Sequence, residues 1–137
     1  MCRETDDLES LKEKVRLSTI LGTFQSTLTR FKYLRKVWKD NTEEERLLGV
    51  SLTGILDCPI LSPDNGSLEG TLEQLKTVAV ETNKKIAKDL GIPQSTAITC
   101  VKPSGTVSQL VDSASGIHAR HNPYYIRTVR GDNKDPL

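Results

Sequence analysis

The residues best suited to chemistry stand together in residues 97–118, A-I-T-C-V-K-P-S-G-T-V-S-Q-L-V-D-S-A-S-G-I-H. Pro103, Ser104 and Gly105 interrupt a short apolar, partly β-branched run, and Thr106 and Val107 open a segment with helical spacing. The pattern predicts a strand, a tight loop and a helix. Backbone N–H groups in such a loop and first helical turn lack internal partners, and they converge with the positive end of the helix dipole on one spot. An anion suits that spot. Gly105 admits a ligand to the backbone with no Cβ in its way, and the hydroxyls of Ser104, Thr106 and Ser108 add donors, so phosphate is the natural guest. Lys102, immediately before the loop, offers a charged grip as an alternative to the backbone donors. Pro-Ser-Gly-Thr also reads as a plain turn followed by an N-cap, and the residues alone leave both readings open.

Other reactive side chains point to less. Cys2, Cys58 and Cys100 are odd in number and have neither C-x-x-C spacing nor a histidine at ligand spacing, so reduced and mostly buried thiols are expected rather than a disulfide framework or a zinc site. His118 and His121 lie three apart, but Gly116, Asn122 and Pro123 argue for irregular backbone and no third ligand is near, so no metal site is expected. Residues 30–39 (R-F-K-Y-L-R-K-V-W-K) interleave basic and aromatic side chains in a way that invites nucleic acid. Asp40, Glu43, Glu44 and Glu45 follow at once, however, and a solvated helix face with a small apolar anchor (Tyr33, Leu34, Val37, Trp38) accounts for the run better. Lys plus Arg (19) nearly cancels Asp plus Glu (18), so no overall field steers the chain to nucleic acid or a membrane surface. No apolar run nears the about 18 residues of a membrane span, and a start carrying Arg3, Glu4, Asp6 and Asp7 lacks a signal peptide's apolar centre, so a cytoplasmic location is expected.

These residues need elements to hold them. Thr5 or Asp6 can cap a helix running to about Leu28, with Leu8, Leu11, Val15, Leu17, Ile20, Leu21, Phe24 and Leu28 as one apolar stripe. Thr42 and Glu45 read as a capping box opening a short helix that ends near Leu47. Residues 48–52 read as a buried parallel strand, whose C-terminal end would bring Ser51 and Thr53 forward as candidate pocket-lining groups, although hydroxyls bonded to backbone are the commoner case. A turn-rich loop at 59–66 leads to Ser67, the cap of a helix with Leu68, Leu72, Leu75, Val78, Ala79 and Ile86 on one stripe and Gly91 as its stop. Strand, helix and strand 97–101 would form a βαβ unit, putting Thr53 and Lys102 on the same edge. A helix over 106–114, a stop at Ser115 and Gly116, a strand over 124–129 and an exposed end complete the expectation.

The stretch V-K-P-S-G-T-V-S-Q-L-V-D-S-A-S-G-I-H, continuing into Tyr124, Tyr125, Ile126 and Arg127 and closing with Asp135, Pro136 and Leu137, resembles the substrate-phosphate segment of the adenosylcobalamin-dependent, class II ribonucleotide reductases. E-E-E-R-L-L-G-V-S-L-T-G-I, from Glu43 to Ile55, resembles a second strand and turn of the same catalytic barrel. The resemblance covers essentially the whole chain but only a late portion of that family's catalytic domain. It implies that residues 1–137 are the C-terminal part of a ten-stranded α/β barrel with parallel strands, an incomplete domain. It implies an enzyme that reduces ribonucleotides to 2′-deoxyribonucleotides for DNA synthesis: adenosylcobalamin supplies a radical, a cysteine thiyl abstracts the 3′-hydrogen, and a cysteine pair delivers electrons that thioredoxin restores. The remainder of the reductase chain is then a partner.

The family's thiyl cysteine sits in a Cys-Asn-x-x-Glu pattern, whereas Cys2 is followed by Arg3, Glu4 and Thr5. No catalytic role passes to Cys2, Cys58 or Cys100. The thiyl loop is expected upstream of Met1, and the chain alone is expected to be inactive. The role that passes over is phosphate binding by Pro103, Ser104, Gly105, Thr106 and Val107, mostly through backbone N–H groups. V-K-P-S-G-T, G-V-S-L-T-G-I and the closing D-P-L resemble the triphosphate-using branch more than the diphosphate-using one. A diphosphate-using or other-class reductase, or a non-catalytic phosphate-binding or structural module, remains the alternative.

Overall fold

A computed structural model describes residues 1–102, 104–126, 128 and 130–134. Its frame is two helices, α1 (Leu8–Gln25) and α3 (Leu68–Leu90), laid against each other. A shorter helix, α2 (Lys36–Glu45), and one turn of helix, α4 (Val107–Leu110), join them, with single 3-10 turns at Ile55–Asp57 and Pro59–Leu61. Among the described residues no helix is long and apolar enough to cross a membrane.

Asp7 starts α1. Its carboxylate accepts from the Ser10 N–H at 2.8 Å while its own N–H donates to Ser10 Oγ at 3.1 Å, so two donors without intrahelical partners are satisfied reciprocally. At the other end of the frame Gly91 stops α3 in the left-handed region (φ 66°), where a glycine carries no Cβ penalty, and its N–H closes on Ala87 and Lys88.

The faces that meet repeat every fourth residue. Leu11, Val15, Thr19 and Thr23 of α1 are buried, as are Thr71, Leu75, Ala79, Asn83 and Ala87 of α3. The expected apolar stripe of α1 therefore splits: Leu11 and Val15 go inward, whereas Leu17, Leu21, Phe24 and Leu28 are 47–72% exposed. Threonines take the inner face because their hydroxyls find partners within the helix, Thr19 Oγ1 on the Val15 carbonyl and Thr23 Oγ1 on the Thr19 carbonyl, both at 2.8 Å. Asn83 completes this polar seam. Its Nδ2 donates to Thr23 Oγ1 and Ser95 Oγ at 3.0 Å, and its Oδ1 accepts from the Ser95 N–H at 3.0 Å.

α2 begins earlier than the spacing predicts. Thr42 lies inside it, donating back to the Trp38 carbonyl at 2.7 Å, and Arg46 ends it in the left-handed region (φ 48°). None of its residues is buried, and Val37 and Trp38 are about half exposed, so the expected apolar anchor is not part of the core among the described residues.

The expected fold class is overturned. Of the described residues 47% are helical and essentially none lie in strands, so the chain is not a piece of a parallel-strand α/β barrel. Residues 48–50 and 97–100 run side by side, joined by Leu48 N–H to the Ala97 carbonyl and Val50 N–H to the Ile98 carbonyl at 2.9 Å, and by Cys100 N–H to the Val50 carbonyl at 3.0 Å. That contact amounts to one isolated parallel bridge, Val50 with Thr99, instead of two strands of a sheet. Two short segments with both outer edges unpaired bury too little surface to persist as a sheet, and Gly49, Ala97 and Val101 remain exposed. The same holds around Tyr124 and Ile126, 93% and 97% exposed, where no strand forms among the described residues; Arg127 and Val129 lie outside them. α4 also falls short of the expected 106–114, because Asp112 turns left-handed (φ 47°) and the Ser113 N–H closes back on the Ser108 carbonyl at 3.0 Å.

Replacing Asn83 with Ala strips partners from Thr23 and from the buried Ser95 N–H. It should lower stability by about 2–3 kcal/mol in urea unfolding followed by circular dichroism. A change within about 0.5 kcal/mol would show that the seam contributes nothing.

Candidate functional site

The loop before α4 is open. Gly105, Thr106 and Val107 are exposed and Ser104 is half-buried; Pro103 lies outside the described residues. Ser104 is tied to the helical turn by its carbonyl, which accepts from Ser108 Oγ at 2.8 Å, and the Gln109 N–H bonds the Thr106 carbonyl at 3.0 Å. Thr106 precedes the helix without a side-chain cap bond, so its hydroxyl is not engaged there. A Cβ built on Gly105 meets nothing within 4 Å, and Gly105 is not among the glycines with positive φ. Its freedom is therefore space for a neighbour rather than an unusual backbone angle.

Gly105 opens on a cavity of about 690 Å³ whose wall includes Gln109, Ser113, Ser115, His118 and Arg120. The stretch 112–120, which lends residues 112–115 and 118–120 to that wall, is positioned by backbone in a close fit. Ser113, Ala114, Ser115 and Gly116 are all buried. A Cβ on Gly116 would stand 2.6 Å from the Lys102 carbonyl oxygen, and one on Gly54 would stand 2.5 Å from Ser113 Oγ and 2.6 Å from the Cys2 carbonyl oxygen. Gly54 also needs its left-handed φ of 78°. The Gly54 N–H donates to the Ser115 carbonyl at 3.2 Å, and the Cys2 N–H donates to the Thr53 carbonyl at 2.8 Å.

Charge completes the wall. Asp57 accepts from the Ala114 N–H at 2.7 Å and from Arg120 Nε and Nη2 at 3.0 and 3.1 Å. Arg120 Nη1 donates to Asp112 Oδ1 at 2.6 Å, and Arg3 donates to the carbonyls of Val111 and Asp112. Burial alone would raise the pKa of Asp57, but the bonds from Arg120 and Ala114 outweigh it and hold the carboxyl below its usual range. The bond from Arg120 lowers Asp112 likewise, and the two carboxylates hold the Arg120 proton still more tightly. Both carboxylates and the guanidinium are thus charged together near neutral pH.

The candidate residues do not all converge. Ser51 and Lys102 line a second, mostly apolar cavity of about 500 Å³ with Val50, Leu52, Leu72 and Val101. Thr53 lines neither cavity, and its carbonyl is spent on Cys2. Of the described candidate residues only Gly105 lines the cavity of about 690 Å³; Lys102 lines the other, and Ser104, Thr106 and Val107 line neither. Among the described residues no group of three or more His, Cys, Asp or Glu side chains is arranged to hold a metal ion.

Sequence reasoning overlooked Asp57, Arg120 and Arg3, and read Gly116 only as a helix stop. An ion pair 63 residues apart leaves no local pattern. One signal was available: Asp57 is the lone charge within G-I-L-D-C-P-I-L, and a solitary carboxylate in an apolar run needs a partner.

No family model matches the chain, and no solved structure gives a significant match. Curated relatives do. The chain is 25% identical over 142 residues to the adenosylcobalamin-dependent ribonucleoside-triphosphate reductase of Lactobacillus delbrueckii subsp. bulgaricus, covering 86% of this chain and 19% of that protein. To the enzyme of the same name from Euglena gracilis it is 29% identical over 150 residues, 95% of this chain and 20% of that protein. To that of Lactobacillus gasseri it is 32% identical over 79 residues, 58% and 10%. The chain thus spans about a fifth of the length of the first two relatives. The resemblance read from the two sequence stretches is borne out by these relatives, all named as adenosylcobalamin-dependent.

The two glycines should separate cleanly. Gly105→Ala meets open space and should leave the melting temperature within about 2 °C, whereas Gly116→Ala forces backbone apart and should cost about 1–3 kcal/mol, read as a fall in melting temperature. Equal melting temperatures would show that the 113–116 segment is not held as described.

Proposed function

We propose that this chain is a segment of an adenosylcobalamin-dependent ribonucleoside-triphosphate reductase, and that residues 103–107 supply its grip on the substrate phosphates. The observation that carries the reading is Gly105, with open space above its backbone, facing a polar cavity. A volume of about 690 Å³ falls within the roughly 300–1,000 Å³ of small-ligand sites. The similarity to curated reductases supplies the substrate class, a ribonucleoside triphosphate.

In this reading the N–H groups of Ser104, Gly105, Thr106 and Val107 donate to phosphate oxygens, and the hydroxyls of Ser104 and Thr106 add to them. Lys102 contributes less, since it lines the other cavity. Anchoring the phosphates orients the ribose, whose 2′-hydroxyl is replaced by hydrogen. Adenosylcobalamin, when bound to the complete enzyme, supplies the radical for that replacement. The two cavities described above do not fit the corrinoid itself: both are of small-ligand size, and His118 and His121 belong to the wall of the one that Gly105 faces. The cofactor, the thiyl and reducing cysteines and the contact with thioredoxin therefore fall to the remainder of the reductase polypeptide. The exposed face of Leu17, Leu21, Phe24 and Leu28 offers that remainder an apolar surface.

Titration of the 137-residue chain with a ribonucleoside triphosphate, followed by the amide signals of residues 104–107, tests the grip. Gly105→Val should weaken binding by about tenfold or more by crowding the phosphate, and Lys102→Ala by less than about threefold. If Lys102→Ala hurts more, and the loss shrinks in high salt, a point charge holds the phosphate instead of the backbone. Deoxynucleotide formation by the purified chain alone, with adenosylcobalamin and a dithiol supplied, would overturn the assignment of the reactive cysteines to the rest of the polypeptide.

A further inference from the structure

We infer that Asp57 is a positioning residue for the cavity that Gly105 faces, its carboxylate holding the 112–120 stretch of the cavity wall in place. The inference rests on the phosphate reading above. It starts from a convergence. Asp112 and Arg120 stand at the two ends of the wall, and Arg120 joins them, Nη1 to Asp112 Oδ1 at 2.6 Å and Nη2 to the Asp112 carbonyl at 2.9 Å. That closes the wall into a ring, which Arg3 on the Val111 and Asp112 carbonyls and the Gly54 N–H on the Ser115 carbonyl also hold. Asp57, on the 3-10 turn Ile55–Asp57, supplies a carboxylate anchor: it takes two N–H groups of the same guanidinium and, from the middle of the wall, the Ala114 N–H at 2.7 Å.

Exposure ranks the two carboxylates. The Asp57 side chain is 16% exposed and that of Asp112 is 87%, while Arg120 is 51% exposed. A fork-shaped pair on a largely covered carboxylate keeps its geometry, whereas an exposed single contact is screened and mobile. Asp57 is therefore the anchor and Asp112 an accessory. The pairing also decides which cation greets an incoming anion. Arg120 lines the cavity, yet its charge is met by two carboxylates, so the phosphate is left to the loop N–H groups.

The test uses the complete 137-residue chain and inorganic tripolyphosphate as the probe, with affinity and the Gly105 amide shift at saturation as readouts. Asp57→Asn keeps an acceptor for the Ala114 N–H but drops the charge that holds Arg120. It should raise the dissociation constant about tenfold and change the limiting Gly105 shift, which a purely structural loss would not move. Arg120→Gln should do the same, and the double variant should be no worse than either single one, because both act through one pair. If Asp57→Asn fails to fold, Arg120→Gln, at a half-exposed position, decides. Unchanged or tighter binding in the variants, with normal binding by the parent chain, overturns the role of Asp57 alone. A parent chain that does not bind tripolyphosphate overturns the phosphate reading and this inference with it.

Discussion

The arrangement turns on one steric constraint: the backbone of residues 113–116 runs where no side chain of its neighbours could fit. Gly54 and Gly116 make this possible, one beneath Ser113 and the Cys2 carbonyl, the other against the Lys102 carbonyl and the Ser104 nitrogen. Buried backbone must be hydrogen-bonded, and here it is, through Ala114 to Asp57 and Ser115 to Gly54. Because Gly116 lies directly against Lys102 and Ser104, those residues take their position from this packing more than from the single turn of α4.

The helical frame reaches the same place by a polar route. Asn83, fully buried, bonds Thr23 on one side and Ser95 on the other, so α1, α3 and the start of the 97–100 segment share one side chain. That segment then runs beside residues 48–50 and delivers the chain to the loop. An amide that satisfies three bonds in a dry interior fixes the register of its neighbours more sharply than a leucine would, since any slip leaves buried donors unpaired.

Legibility divided along the same line. The boundaries of α3 were readable because its signals are local, Ser67 before it and Gly91 after it, although the Ser67 side chain makes no cap bond. The family resemblance was readable from two separated stretches, and the relatives bear it out. What failed was everything set by tertiary competition. Threonine displaced leucine from the inner face of α1, because facing α3 at four-residue spacing mattered more than hydrophobicity. Residues 48–52 and 97–101 look like strands, but β-branched character measures fitness for a sheet's surface and creates no sheet where only two short segments meet. Asp57 and Arg120 left no periodic trace at all.

The thiols follow from the same packing. Cys2 and Cys58 are buried in the apolar core, and burial pushes the Cys2 thiol up to about 11 and raises that of Cys58. A thiol in that state is largely protonated near neutral pH, and the thiolate is the form that attacks disulfides and exchanges electrons. Cys100 is exposed, but it lines the mostly apolar cavity and not the one that Gly105 faces. Core packing has thus committed two of the three thiols to structure and left the third away from the polar cavity. The division of labour proposed above, phosphate grip here and thiol chemistry elsewhere in a longer polypeptide, is one that this chain's own packing favours.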